Sequence, residues 1–189
     1  MSRVKVQGAG GKTVLLDQLR EAIFDTVTLT NAGGSNGTRE FFSDIQGKKK
    51  WQTNLNQANL LEKNVSFKIL SMCLMAHAAV YANLNYLSAF IEKTSVRLQI
   101  GDRDFWKGSA RFLAGGVYTE IAGGTDASYQ QYGELSKHGV VFGKDAHEIP
   151  SLFTFKVVMD TDGVATAPNA AEDINLVCKL DGLKRRPVQ

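Results

Sequence analysis

The residues best placed to do chemistry lie near the start of the chain, where Gly8-Ala9-Gly10-Gly11-Lys12-Thr13 joins a Gly-rich turn to a Lys-Thr pair. Such a turn before a helix cradles phosphates with backbone N–H groups, while the lysine and hydroxyl serve the phosphate and its magnesium. The pattern required is G-x-x-x-x-G-K-[ST], and the place of its first glycine is taken by Val6. An acidic strand end to hold the magnesium has a counterpart in Phe155-Lys156-Val157-Val158-Met159-Asp160, but Lys156 interrupts it and Asp160 opens a turn. The incomplete motif favours a flexible N-terminal arm leading into a helix.

Other chemistries fail on spacing. Asp160-Thr161-Asp162-Gly163 gives half a calcium loop, yet Val164 and Ala171 stand where further oxygen ligands belong. His77, His138 and His147 are far apart, and none has a Cys, His or carboxylate at zinc-ligand spacing. No G-x-S-x-G elbow occurs, and neither Cys73 nor Cys178 has the local signature of an activated thiol. Phe105, Trp106, Phe112, Phe153 and Phe155 lie in strand-like segments, which favours core roles over a base-stacking platform. The expectation is a non-enzymatic domain with no cofactor, no metal and no small-molecule substrate.

A chain of 189 residues suits one domain, and 43% hydrophobic with 22% charged residues is an ordinary globular balance. Lys and Arg exceed Asp and Glu by 22 to 19, a surplus too small to argue for nucleic-acid binding by net charge. Local clusters carry more information: Lys48-Lys49-Lys50 and Lys184-Arg185-Arg186 are the dense basic runs. Each reads as a solvated turn or tail, or as a contact with genome, anionic lipid or an acidic neighbour. Both cysteines sit in apolar stretches and are expected to be reduced core residues, with a Cys73–Cys178 disulfide left open. Glycines rather than an apolar run follow Met1-Ser2-Arg3-Val4-Lys5-Val6, so no signal peptide is read and assembly inside a cell is expected; the Asn36 and Asn64 sequons then carry no glycan. The apolar stretch 70–91 is interrupted by His77, Asn83, Asn85, Tyr86 and Ser88, which suits a buried element better than a membrane span.

The elements that would position these residues are mostly strands. Leu15, Leu16, Leu19, Ala22 and Ile23 recur at helical spacing and predict a short amphipathic helix over 13–24. Strands are predicted over 26–30, 65–73, 117–121, 152–159 and 174–180, and a helix over 79–92. Val96, Leu98 and Ile100 alternate with Arg97 and Gln99 before Gly101-Asp102, the clearest hairpin signal in the chain. A flexible Gly-rich loop lies at 31–37, Gly-rich punctuation at 114–117 and 122–125 flanks the 117–121 strand, and 127–137 reads as a loop with a helical turn or two. Strands joined by long loops point to an antiparallel sandwich or barrel rather than βαβ units.

Four segments resemble, in order, parts of the jelly-roll capsid proteins of tail-less icosahedral phages with an internal membrane, relatives of the adenovirus-type capsid lineage. They are Phe41-Phe42-Ser43-Asp44-Ile45-Gln46-Gly47-Lys48 with Thr53-Asn54-Leu55 and the following strand; the 96–105 hairpin leading to Gly115-Gly116; Glu148-Ile149-Pro150 before a late strand; and Leu180-Asp181-Gly182-Leu183-Lys184-Arg185-Arg186-Pro187-Val188-Gln189. The resemblance implies a mainly β, single jelly-roll β-sandwich of about eight antiparallel strands with one or two short helices. That lineage is best known for two jelly rolls in one polypeptide, and this length allows one. The implied organisation is an N-terminal arm and short helix over 1–25 and a jelly-roll domain over 26–189. The implied function is a structural capsid protein that self-assembles into an icosahedral virion shell in the host cytoplasm. Its partners would be copies of itself in a capsomer, other capsid proteins, and internal membrane lipid or genome. Lys48, Lys49, Lys50, Lys184, Arg185 and Arg186 would be the assembly, lipid or genome contacts. The rival is a monomeric β-sandwich ligand- or receptor-binding module with Trp51, Trp106 and residues 129–132 as its platform.

Overall fold

Alternating apolar side chains bury one face of a strand, and two sheets here close such faces on one another. The computed structural model describes residues 2–7, 13–30, 36–77, 82–118, 139–143, 146–164 and 173–187. The strands are β1 Ser2–Gln7, β2 Thr13–Leu29, β3 Gly37–Phe41, β4 Ser66–His77, β5 Thr94–Ile100, β6 Arg103–Ser109 and β7 Ala114–Tyr118. They continue with β8 Val140–Val141, β9 Glu148–Ile149, β10 Phe155–Thr161 and β11 Ile174–Pro187, and helix α1, Ala82–Glu92, joins β4 to β5. The protein is a mainly β, predominantly antiparallel sandwich.

One sheet runs β1-β2-β11-β4-β7, with β8 and β9 also on β4, and the other runs β3-β10-β5-β6. Among the described residues all strand pairings are antiparallel except β4 with β7. The pairs β2·β11, β3·β10, β4·β9 and β5·β6 are nested in sequence, like successive rungs of one long hairpin. Two more pairings, β11·β4 and β10·β5, roll that hairpin onto itself. Phe41, Phe67, Ile69, Met72, Leu98, Phe155, Val157, Cys178 and Leu180 fill the space between the sheets, and Leu87 and Phe90 of α1 join the same core. No helix among the described residues is long and apolar enough to cross a membrane.

The helix predicted over 13–24 is instead the first two thirds of β2. Its backbone pairs with β11 from Leu16↔Pro187 to Leu29↔Ile174, and with β1 over 13–18. Hydrogen bonding to two neighbours overrides a short helical periodicity, as tertiary context commonly does for local propensity. Residues 2–7 of the expected arm are strand β1, and the boundary drawn at residue 25 falls inside β2. The 96–105 hairpin and the 79–92 helix stand as expected, the helix over 82–92. The late strands are present as β10 and β11, the latter extended to Pro187. Residues 8–12, 119–138, 188 and 189 lie outside the described residues, and with them the glycine turn, His138, the 127–137 loop and the 129–132 part of the platform.

Beyond β1, the free edge of β2 meets the connection between β3 and β4. Asn54 stands in for a neighbouring strand there: its Oδ1 accepts the Phe24 N–H at 2.9 Å and its Nδ2 donates to the Ala22 carbonyl at 2.7 Å. The Asn54 N–H donates to the Phe24 carbonyl, and Thr26 Oγ1 to the Gln52 carbonyl. An unpaired edge is a template for unwanted strand addition, and this connection covers it.

Candidate functional site

The two basic runs are the natural place to look for a functional surface, and local structure breaks both up. In the first, a turn with Gly47 at φ 76° turns Lys48 back toward β2, where its Nζ lies 2.8 Å from both oxygens of Asp25. Asp25 is fully buried, and its Oδ2 also accepts the Phe42 N–H at 2.6 Å. Lys48 is therefore an internal tie holding the start of the β3–β4 connection to β2. Lys49 and Lys50 stay exposed, next to Trp51, which is 61% exposed. The turn is closed by the Gln52 N–H donating to the Lys49 carbonyl at 2.8 Å.

In the second run, strand alternation sends neighbours to opposite faces. Arg185 lies on the outer face, 3.3 Å from Glu148 and within hydrogen-bond reach of Gln18. Lys184 and Arg186 lie on the other face, in register with Leu19 and Asp17. Lys184 reaches Glu21 at 3.5 Å, and Arg186 is exposed. Only these two of the six basic candidates share a face with each other and with a distinct surface feature.

That feature is the inner face of β2 and β11 where it runs on past the second sheet. Ile23 and Leu180 are buried in the core, whereas Leu19 and Leu15, two and four alternations further along the same face of β2, are 46% and 37% exposed. A cavity of about 170 Å³, lined by Glu21, Ile23, Asn54, Leu61, Phe67 and Lys184, opens there. A smaller hollow of about 70 Å³, which shares Glu21 and Lys184 with it, lies between Asp17, Leu19, Glu21, Lys184 and Arg186. The first volume is below the range of about 300–1,000 Å³ usual for small-molecule sites.

A second exposed apolar group forms where β9 leads into β10. Leu152 and Phe153 are 64% and 54% exposed, and Leu152 sits at φ 67° in a turn closed by the Phe153 N–H and the Pro150 carbonyl. Phe105 is 39% exposed and packs edge-on against His147, which also meets Phe142. This corrects the reading of the aromatic residues as core: Phe155 is buried and Trp106 packs against the core, but Phe105, Phe112 and Phe153 face outward. Alternation along a strand does not reveal which strand ends outrun the opposing sheet.

The other candidates resolve into structural roles. Asp160 receives the Thr38 hydroxyl at 2.6 Å and pairs with Arg97 at 3.2 Å, while the Gly163 carbonyl accepts from Lys93, so two members of the half calcium loop are engaged by neighbouring side chains on the outer face of the sheet. Among the described residues, no three His, Cys, Asp or Glu side chains converge as a metal site. Cys73 is in register with Lys179 and Cys178 with Leu74, which puts the two thiols on opposite faces of the sheet and leaves both free. Burial pushes the Cys178 thiol well above its ordinary pKa, with Cys73 and Asp25 adding to the effect, and burial raises Cys73 too. Sequence reading passed over Asp25, whose one signal was a carboxylate at an inward position of the Ile23-Phe24-Asp25-Thr26-Val27 run. No protein-family signature matches the chain, and no curated protein and no solved structure is similar to it.

Proposed function

We propose that the sandwich is a single jelly roll and that the chain is a structural capsid protein, which packs against copies of itself to form an icosahedral virion shell. The observation that carries this reading is the nested pairing β2·β11, β3·β10, β4·β9 and β5·β6, rolled up by β11·β4 and β10·β5. A jelly roll is an eight-stranded double sheet of two Greek keys, an architecture that capsid subunits use. The ordered resemblance of four segments to phage capsid proteins supports the same reading, as do apolar side chains exposed at Leu15, Leu19, Leu152 and Phe153. Exposed apolar groups gathered at the ends of strands favour protein contacts, and symmetric assembly supplies stability that one subunit lacks.

The purified 189-residue chain, examined by light scattering coupled to gel filtration and by negative-stain microscopy, tests the proposal. The expected result is capsomers or closed shells that grow in population with concentration. A monomer at all accessible concentrations, in the presence and absence of vesicles, would instead favour a ligand- or receptor-binding module.

A further inference from the structure

The hollow between β2 and β11 carries a charge pattern that matches itself. On the face that outruns the second sheet, β2 presents Leu15, Asp17, Leu19 and Glu21, an acidic and apolar strip. Beside it β11 presents Lys184 and Arg186, a basic strip. The register sets Asp17 against Arg186 and Leu19 against Lys184. A two-fold axis parallel to the strands, lying above the line between them, carries each β2 strip over the β11 strip of a second copy at the same height. Asp17 of one copy then faces Arg186 of the other, and Leu19 of each copy faces Lys184 of the other and covers its aliphatic stem, with Leu15 at the end of the same strip. Such an interface uses one patch twice, as isologous contacts do.

We infer that this ribbon face is the contact between two copies of the chain, and that the occupant of the hollow is the same face of a second copy. The inference rests on the proposal that the chain assembles with itself, and it names the surface. Opposite charges in register attract the correct partner and repel a shifted one, so the pattern sets both orientation and register. Glu21 and Lys184 already meet within one chain at 3.5 Å while each remains about one third exposed, so both stay available to a second copy. The apolar residues add desolvation, because Leu15 and Leu19 lose solvent only when something lies over them.

Sedimentation velocity of the full chain, over a wide range of concentration at low and at high salt, tests the face. Wild type is expected to self-associate and to do so less at high salt, where charges are screened beyond about 3 Å at 1 M. Leu19→Asp and Lys184→Glu are each expected to raise the concentration needed for association at least tenfold, while their thermal midpoints, compared at dilutions where wild type is monomeric, fall by no more than the small amount an exposed ion pair is worth. The exchange Glu21→Lys with Lys184→Glu is expected to restore it. Leu19→Cys gives a readout that adds no charge: facing sheets lie about 10 Å apart, so a bismaleimide of that span should join two copies through residue 19. If wild type associates while Leu19→Asp and Lys184→Glu associate equally well and the Leu19→Cys cross-link does not form, the ribbon face is not the contact, although self-assembly stands. If wild type never associates, the assembly proposal itself falls, and this inference with it.

Discussion

Lys48 reaches from the β3–β4 connection to Asp25 on β2 and holds both carboxylate oxygens at 2.8 Å, with the lysine side chain 19% exposed and the aspartate fully buried. Removing one member of a buried pair strands the other charge, which typically costs about 3–5 kcal/mol, whereas replacing both costs far less. Lys48→Met should therefore lower the urea midpoint strongly, leaving the Phe42 N–H as the main remaining partner of Asp25. Adding Asp25→Asn to Lys48→Met should recover a good part of the loss. Urea unfolding of the three proteins checks this, and a Lys48→Met cost below about 1 kcal/mol would show that the tie does not hold the connection in place.

The same pair shows where sequence stops being informative. Lys48 reads as one of three like residues in a basic run, and nothing local says that a glycine turn will bend it inward toward a strand 23 residues earlier. Where periodicity governs structure the reading is sound: Val96, Leu98 and Ile100 are buried in alternation, as their hairpin requires. In β4 the alternation holds through Phe67 and Ile69, then changes parity to Met72 and Leu74, because the pairing with β11 slips at Asp181/Gly182. A bulge of this kind is set by the partner strand and leaves little trace in the strand itself. β2 misleads for a related reason. Its outer half lies beyond the second sheet, so Leu15 and Leu19 lack the burial that would have imposed strict alternation, and the leftover spacing mimics a helix.

Gly182 is the residue that permits this slip. A Cβ there would lie 2.2 Å from the Lys68 carbonyl oxygen and 2.7 Å from the Phe67 ring, and neither the backbone of β4 nor a fully buried phenylalanine can move away cheaply. Overpacking of a tight interior costs about 1–3 kcal/mol, so Gly182→Ala is expected to lose at least that much. Gly163→Ala provides the contrast: at φ 73° its nearest neighbours are the end of the Lys93 side chain at 3.9 Å, so only the backbone conformation opposes it, at about 1 kcal/mol. Thermal unfolding of both variants should rank Gly182→Ala as the more damaging; the reverse order would contradict the β4–β11 register.

Burial of Cys178 links its thiol to stability at alkaline pH. Its folded pKa is raised well above that of the unfolded chain, first by desolvation and then by Cys73 and Asp25. A raised pKa contributes stability that is fully present below the unfolded thiol value, about 8.5, and is lost as pH rises through the folded value. Wild type should therefore lose stability above that point more steeply than Cys178→Ala, and the difference between the two curves isolates the thiol from titrating lysines and tyrosines. Parallel curves would mean that the thiol is not desolvated. In the same range, a thiol reagent should label Cys178 only as fast as the chain opens, since the thiolate is the reacting form.

Leu152 combines two features that a stability-optimised turn avoids, a left-handed backbone at φ 67° and a bulky apolar side chain that is 64% exposed. For a residue with a Cβ this conformation costs roughly 1–2 kcal/mol, and asparagine tolerates it better than leucine does. The exposed side chain recovers little of that cost within one subunit, so local strain is retained there without a visible internal gain, a pattern that accompanies functional contacts. Leu152→Asn is accordingly expected to raise the thermal midpoint of the isolated subunit, by a gain of up to about 1 kcal/mol. Because Phe153 lies against the Gly101 turn and the Gly101 N–H donates to the Thr154 carbonyl at 2.7 Å, the substitution leaves the neighbouring anchor in place. A midpoint lowered by Leu152→Asn would show that the leucine side chain stabilises the turn from within the chain; a raised midpoint together with weaker self-association would assign it to the surface between copies.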